Sequence, residues 1–328
     1  MHHRTAESAG DGQSTADTSE NERTVRRPVV ALVGDAPDWL AEAVHAGGGT
    51  VGPINEADAA IYRGPTRSLP PLPDSVRWVQ LTSAGIEAFL AAGAIDDKRI
   101  WTSAAGAYAD HVAEHAVALL LAGARGLVTA SHQHDWQPAT VGTHVGGIVG
   151  STVAVVGAGG IGRRIVELLV PYRVRIVAVT RRGHPVPGAD LAVPAAEIDR
   201  IWDDVDHVIV AAPATAATRH LIDAAVLARL KPTSWIVNIA RGSLVDTDAL
   251  VDAIEGGRVA GAGLDVTEPE PLPAGHPLWT TPGVLITPHV ANPPHLSRQD
   301  FARRVSENVA RFAAGDDLLG VIDLAAGY

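Results

Sequence analysis

The fold of this 328-residue chain is decided by residues 152–162, which read TVAVVGAGGIG. The β-branched and apolar run at its start predicts a strand that is covered on both faces. The glycines that follow match the pattern G-x-G-x-x-G, and an amphipathic helix is predicted from Ile161 to about Val170. This order of strand, glycine loop and helix is typical of a loop that binds the pyrophosphate of a dinucleotide.

Each glycine of this loop has a predicted task. Gly157 allows a tight turn, Gly159 lets a pyrophosphate approach the backbone, and Gly162 lets the helix pack against the strand. The first turn of the helix, with Gly160 and Ile161, offers free N–H groups and partial positive charge to phosphates. The alternative is a tight turn without a ligand, but the complete pattern between a strand and a helix favours dinucleotide binding.

The second predicted strand, residues 175–179, ends without the acidic residue that would bind the ribose hydroxyls of NAD. Thr180, Arg181 and Arg182 follow it instead. A carboxylate would repel a 2′-phosphate, whereas a hydroxyl and two guanidinium groups can bind one. The sequence therefore predicts NADP(H) as the preferred cofactor, with NAD(H) as the alternative if both arginines are solvated surface residues.

Further apolar runs alternate with helical segments on both sides of this unit. Strands that alternate with helices indicate parallel sheets, and the chain length corresponds to about two domains. The predicted strands are 29–33, 59–62, 78–81, 205–212, 235–239, 259–265 and 284–287, and the predicted helices are 108–125, 247–255 and 301–314. We therefore expect an α/β protein that is built on parallel sheets.

Composition narrows the classes of function. The 26 Lys and Arg against 37 Asp and Glu give a net charge of -11, which disfavours binding to nucleic acid. The absence of Cys excludes disulfides and thiolate metal sites. No apolar run approaches the ~18 residues that cross a bilayer, and residues 1–27 are polar enough to form a mobile tail. We expect a cytoplasmic protein that does not bind membranes.

Three motifs place ionisable residues directly after predicted strands. They read VNIARGSLVD at 237–246, GLDVTEPEPLP at 263–273 and ITPHV at 286–290. In an open α/β sheet the carboxyl ends of the strands line the ligand crevice. An arginine, an acidic residue and a histidine are therefore predicted to converge at one site.

These motifs, together with QLTSAG at 80–85 and VAEH at 112–115, resemble those of the D-isomer-specific 2-hydroxyacid dehydrogenase family. The resemblance covers roughly residues 29–315 and is to the short, glyoxylate/hydroxypyruvate reductase-like members without a regulatory domain. It implies two Rossmann-like doubly wound parallel-sheet domains with an active-site cleft between them.

The resemblance also implies limits for these domains. The substrate domain would be discontinuous, with residues 28–103 and 291–328. The dinucleotide-binding domain, residues 104–290, would be inserted between these two parts. A homodimer is expected because the family's helix with the VAEH motif packs at a dimer interface.

By resemblance, Arg241, Glu270 and His289 correspond to the catalytic Arg, Glu and His of the family. His289 would give a proton to the carbonyl oxygen of a 2-oxo acid, while Glu270 holds the other ring nitrogen. Glu270 is preferred to Glu268 because it lies five residues after Asp265 and directly precedes a proline, as in the family's motif. Arg241 would bind the substrate carboxylate and polarise the carbonyl.

The resemblance assigns binding roles as well. Backbone N–H groups of Ser83, Ala84 and Gly85 would bind the substrate carboxylate, and Asp265 would hold the nicotinamide carboxamide. Further cofactor contacts are expected at Pro213, Thr218, Ile239 and Ala240. The substrate would be a small 2-oxo or 2-hydroxy acid of D configuration, with glyoxylate, hydroxypyruvate and larger apolar acids left open.

Three questions stay open at this point. Residues 111–115 read HVAEH, which matches the zinc-peptidase pattern H-x-x-E-H, but no third ligand is placed independently and we expect no metal. Arg63 either contacts the substrate or is solvated. A non-enzymatic NAD(P)H-binding regulator of the same fold is the alternative function, because fold alone does not determine function.

Overall fold

Two separate parallel sheets, each built from strands that alternate with helices, organise this protein. The computed structural model describes residues 27–327. Its sheets have five and seven strands, and all named strands pair in parallel. The predicted α/β class with two parallel-sheet units is therefore confirmed. The predicted mobile tail lies outside the described residues, except for its last residue.

The first sheet is formed by the amino-terminal part of the chain. Its strands are β1 (Val29–Gly34), β2 (Thr50–Val51), β3 (Ala59–Arg63), β4 (Trp78–Leu81) and β5 (Ile100–Thr102). They lie in the order β2-β1-β3-β4-β5. The helices α1 (Asp38–Ala46) and α2 (Glu87–Ala91) connect these strands, and the carboxy-terminal helix α9 (Pro294–Ala314) packs against α1. The end of the chain thus completes the core of the first sheet.

The second sheet contains the glycine-loop strand at its centre. Its strands are β6 (Thr152–Val156), β7 (Arg175–Thr180), β8 (Leu191–Pro194), β9 (His207–Val210), β10 (Trp235–Asn238), β11 (Gly261–Leu264) and β12 (Val284–Ile286), in the order β12-β11-β10-β9-β6-β7-β8. Its helices are α3 (Ala109–Ala124), α4 (Leu127–Ser131), α5 (Pro138–Gly142), α6 (Gly160–Leu169), α7 (Ala224–Arg229) and α8 (Thr247–Glu255). Apolar clusters cover both faces of this sheet, which explains its almost continuous apolar strands.

The predicted elements differ from the observed ones mainly in their ends and in short edge strands. The strand predicted at 205–212 is only His207–Val210, and the helix predicted at 301–314 begins at Pro294. A proline is compatible with the first helical turn, where its missing N–H is not needed. Strands β2, β5 and β8, which have two, three and four residues, were not predicted from the sequence. No helix within residues 27–327 has the length and apolar character needed to cross a membrane.

A buried polar network joins α9 to the first sheet. Asn308 and Gln80 are fully buried, and Asn308 Nδ2 donates to Gln80 Oε1 over 2.9 Å. Asn308 Oδ1 accepts from Leu319 N at 2.8 Å, while Thr102 Oγ1 donates to Gln80 Oε1 at 2.9 Å. Buried amides with these partners hold the carboxy-terminal segment in a single position, because each lost partner would leave a desolvated polar group.

Replacing Asn308 with Ala should lower the free energy of unfolding by about 1–3 kcal/mol, because Gln80 and the Leu319 backbone would lose buried partners. Thermal unfolding followed by circular dichroism measures the effect. The neighbouring exposed residue offers a matched control, Glu307→Ala, for which we expect a much smaller change. Equal unfolding temperatures for Asn308→Ala and the native protein would contradict this role of the network.

Candidate active site

A cavity of about 670 Å³ lies where the carboxyl ends of strands from both sheets meet. The loop after β4 reaches it with Ser83, Ala84 and Gly85, and β3 reaches it with Arg63. The second sheet contributes residues that follow β10, β11 and β12, namely Ile239, Arg241, Asp265 and His289. Because side chains at the ends of parallel strands project into one crevice, residues that are far apart in sequence become neighbours here.

His289 is held in an unusual backbone conformation beside an acidic partner. Its φ angle is +54°, in the left-handed region that a non-glycine residue rarely adopts, and its N–H donates to the carbonyl oxygens of Asp265 and Thr287. Its Nδ1 lies 2.7 Å from Glu270 Oε1, and both side chains are about half exposed. Nε2 is therefore the ring nitrogen that Glu270 leaves for another partner.

The two acidic residues of the 263–273 motif point to different partners. Glu268 accepts from Arg219 at 2.7 Å and lies 3.1 Å from His220 Nε2. These contacts hold the pKa of Glu268 below its ordinary value. Only Glu270 contacts His289, so the geometry separates two carboxylates that the sequence alone leaves close together.

Arg241 lies across the loop that follows β4. Its Nη1 donates to Ala240 O over 2.6 Å, and its Nε lies 3.0 Å from Glu87 Oε1. A Cβ atom on Gly85 would lie 1.7 Å from Arg241 Nη2, so a larger residue at position 85 would displace the guanidinium from this position. The sequence did not point to Glu87, because its partner lies 154 residues further along the chain.

The carboxylate of Asp265 anchors the segment that carries His289. It accepts hydrogen bonds from Thr287 Oγ1 at 2.6 Å, Val290 N at 2.9 Å and Ala291 N at 3.1 Å, and His115 Nε2 lies 3.4 Å away. Burial by itself would raise the pKa of Asp265, but these hydrogen bonds outweigh burial and lower the pKa to about 2. The predicted contact of Asp265 with nicotinamide stays a prediction.

The glycine loop has the shape of a phosphate cradle. A Cβ on Gly157 (φ +99°) would lie 2.5 Å from the Ala212 backbone, and one on Gly162 would lie 2.1 Å from Gly157 O. At Gly159, by contrast, no other part of residues 27–327 comes within 4 Å of that position. The two crowded glycines make the turn, while the third leaves space over the amino terminus of α6 that fits a pyrophosphate.

The end of β7 carries the residues that were predicted to contact the adenosine side of a dinucleotide. The Thr180 hydroxyl is buried and, among the described residues, has no hydrogen-bond partner. Arg182 is exposed, and Arg181 Nη1 lies 3.5 Å from Asp323 Oδ2 of the carboxy-terminal segment. An unpartnered hydroxyl that is followed in sequence by two arginines is compatible with a ribose or its phosphate.

Three further predicted residues, Pro213, Thr218 and Arg63, lie in the loop after β9 and at the cavity. Thr218 Oγ1 donates to Pro213 O over 2.7 Å and closes the loop after β9. Arg63 lines the cavity and is paired with Asp35. The sequence did not single out the cavity residues Trp39, His295, Arg298 and Phe301, which come from α1 and α9.

The two histidines of the HVAEH segment have separate partners. Nε2 of His111 lies 3.2 Å from Asp300, whereas Nε2 of His115 lies 2.9 Å from Thr287 Oγ1. In the part of the chain that the structure describes, no group of three or more His, Asp or Glu side chains is arranged to hold a metal ion. His115 Nε2 also lies 3.4 Å from Asp265 Oδ1, so the two histidines contact different carboxylates.

Replacing Asp265 with Asn should lower the free energy of unfolding by about 2 kcal/mol at pH 7, because a carboxylate with a depressed pKa stabilises the folded state. This contribution is complete above the unfolded-state pKa of about 3.9 and is lost as the pH falls towards 2. Urea unfolding at several pH values measures the difference in the free energy of unfolding between the native protein and Asp265→Asn. This difference should be constant from pH 8 to 5 and should become smaller below pH 4. A difference that is the same at every pH would contradict the stabilising role of the Asp265 charge. The control is Asp316→Asn, which changes an exposed aspartate.

Comparisons with known proteins agree with this geometry. A family model described as D-isomer specific 2-hydroxyacid dehydrogenase, NAD binding domain, matches residues 117–291. An uncharacterized protein in the proB 3′ region of Corynebacterium melassecola is 39% identical over 290 residues, covering 87% of this chain and 95% of that protein. A glyoxylate reductase of Thermococcus litoralis is 32% identical over 223 residues, covering 66% of this chain and 67% of that enzyme.

A solved structure extends the likeness over both sheets. The crystal structure of a D-isomer specific 2-hydroxyacid dehydrogenase from Xanthobacter autotrophicus, in complex with NADPH and MES, has a TM-score of 0.79 at 26% identity. The match covers 92% of this chain and 100% of that chain. Because the family model matches more than half of the chain and includes the glycine loop, the chain belongs to the D-isomer specific 2-hydroxyacid dehydrogenases, a family of oxidoreductases.

Proposed function

We propose that this protein reduces a small 2-oxo acid to the D-2-hydroxy acid with NADPH. The observation that carries the proposal is the arrangement of His289, Glu270 and Arg241 at one cavity. His289 and Arg241 line it from the ends of two strands, and Glu270 Oε1 lies 2.7 Å from the His289 ring. A proton donor and an anion-binding cation at one site are what the reduction of a 2-oxo acid requires.

His289 is the proposed proton donor. Glu270 accepts a hydrogen bond from Nδ1–H of His289, which holds the ring and stabilises the imidazolium. The proton on Nε2 is then available for the substrate carbonyl oxygen. The pairing of Glu268 with Arg219 supports Glu270 as the acid of this pair.

Arg241 is the proposed partner of the substrate carboxylate. Its guanidinium lies over Gly85, and backbone N–H groups of Ser83, Ala84 and Gly85 would complete the carboxylate site. Ser83 Oγ and Asn292 Oδ1 also lie at this cavity, and within residues 27–327 they are buried without hydrogen-bond partners. Unpartnered polar atoms beside the cation support a polar rather than an apolar ligand.

The glycine loop is the proposed cofactor site. A reduced nicotinamide bound there would supply the hydride. Thr180, Arg181 and Arg182 are the proposed partners of a 2′-phosphate, while the backbone of Gly159 and the first turn of α6 would bind the pyrophosphate. The NADPH in the Xanthobacter autotrophicus structure supports this preference.

A panel of 2-oxo acids tests the proposed function. Purified protein is mixed with NADPH or NADH and with glyoxylate, hydroxypyruvate or longer 2-oxo acids, and absorbance at the nicotinamide band is followed. Oxidation of NADPH by at least one acid is expected. For hydroxypyruvate and the longer 2-oxo acids, whose products are chiral, chiral chromatography should identify the D-2-hydroxy acid. No oxidation across the whole panel would favour the non-enzymatic NAD(P)H-binding regulator.

His289→Gln should reduce kcat by at least about a hundredfold, because Gln can hydrogen-bond the carbonyl but cannot deliver a proton. NADPH affinity, measured by quenching of tryptophan fluorescence, should stay the same. His45→Gln, an exposed histidine on α1, is the matched control and should leave kcat unchanged. Full retention of kcat in His289→Gln would refute the proton-donor role.

Thr180→Asp should shift the ratio of kcat/KM for NADPH to that for NADH at least about tenfold towards NADH, because a carboxylate repels a 2′-phosphate and binds ribose hydroxyls. Exposed Thr280→Asp adds the same charge at a distance and should leave the ratio unchanged. A native protein that clearly prefers NADH would contradict the proposed cofactor.

A further inference from the structure

Glu87 holds the edge of Arg241 that a substrate carboxylate would use. Its Oε1 lies 3.0 Å from Arg241 Nε and its Oε2 lies 3.5 Å from Nη2. The paired Nε and Nη2 donors form a fork that matches the two oxygens of a carboxylate. Nη1 is already engaged by Ala240 O, so Glu87 fills the main carboxylate site of this guanidinium.

The position of Glu87 relative to Gly85 also indicates that Glu87 occupies the carboxylate site of Arg241. A Cβ on Gly85 would lie 2.6 Å from Glu87 Oε2 and 1.7 Å from Arg241 Nη2. The ion pair therefore occupies the space directly over the loop of Ser83, Ala84 and Gly85. Under the proposed function this is the space that the substrate carboxylate takes.

We propose that Glu87 is a positioning residue that keeps Arg241 over Gly85 in the ligand-free cleft and is displaced by the substrate carboxylate. The inference rests on the proposed function, because it takes Arg241 as the anion-binding group. Binding of the 2-oxo acid is then an exchange of one carboxylate for another. Glu87 is the first residue of the short helix α2, where an exposed side chain can swing out into solvent.

The exchange is feasible because the pair is only partly buried. The Arg241 and Glu87 side chains are 35% and 43% exposed. Ion pairs at such positions are weak, and a competing carboxylate that also meets the loop N–H groups can replace one partner. Removing the Glu87 charge should therefore tighten the binding of small carboxylates by about two- to fivefold.

Three variants test the exchange. Glu87→Gln removes the charge at nearly constant size, Glu87→Asp keeps the charge on a shorter side chain, and Glu307→Gln removes an equally exposed carboxylate from its pair with Arg311. Oxalate, a planar dianion that resembles a 2-oxo acid, is titrated calorimetrically into each protein with and without NADPH. The KM and kcat for glyoxylate are measured in parallel.

Glu87→Gln should bind oxalate about two- to fivefold more tightly than the native protein. The KM for glyoxylate should fall by the same factor, while kcat does not rise. Glu87→Asp should restore values close to native, and Glu307→Gln should match the native protein. The unfolding temperature of Glu87→Gln should equal that of the native protein. If Glu87 had a structural role alone, its loss would change the unfolding temperature and would not lower the dissociation constant for oxalate.

Equal or weaker oxalate binding by Glu87→Gln would overturn the exchange, as would failure of all four proteins to bind oxalate. These outcomes are distinct from a failure of the proposed function. If no 2-oxo acid oxidises NADPH but oxalate binds Glu87→Gln more tightly, the proposed reaction is wrong and the exchange stands. If glyoxylate is reduced but oxalate binding does not tighten, the reaction stands and the exchange is wrong.

Discussion

The buried carboxylate of Asp265 is the interaction on which the geometry of the cleft depends. It accepts from Thr287 and from two backbone N–H groups of the segment that follows His289, and the Asp265 carbonyl accepts from His289 N. Several hydrogen bonds therefore hold the short loop of residues 287–291 in one conformation. They can maintain His289 at a positive φ angle that a free chain would rarely adopt. A low pKa for Asp265 follows from the same bonds, because they stabilise its charged form.

The cleft contains two pairs of opposite charge, His289 with Glu270 and Arg241 with Glu87. The pairs differ in which donors of the histidine and the arginine remain available to a ligand. Glu270 contacts Nδ1 of His289, so this acid supports the ring and leaves Nε2 uncovered. Glu87 instead contacts Arg241 at Nε and Nη2, the donors that an anion needs. Under the proposed function, Glu270 stays in place during the reaction, whereas Glu87 leaves Arg241 when a substrate carboxylate binds.

The sequence predicted those elements that depend on the pattern of neighbouring residues. Strand β4 and helix α8 agree with their predicted bounds, and the glycine loop lies between its strand and helix, because apolar periodicity and turn glycines act over a few residues. The contact of His289 with Glu270 involves residues that the motif resemblance had selected. Pairs between distant segments were not predictable in this way. Glu87 reads as an ordinary helix-starting acid until the fold brings Arg241 beside it.

The segment that crosses between the sheets, at Ala105 and Gly106, packs against both the glycine loop and the carboxy-terminal helix α9. A Cβ on Gly160 would lie 2.8 Å from Gly106 Cα, so the crossing segment packs directly on the first turn of α6. Arg304 of α9 donates to Ala105 O at 3.0 Å from the other side. Burial of Arg304 lowers its pKa, but nearby Glu307 favours its charged form. Since α9 also packs against α1 of the first sheet, residues 105 and 106 lie between the first turn of α6 and the helix that completes the first sheet. This packing joins the two parts of the chain that form the cleft.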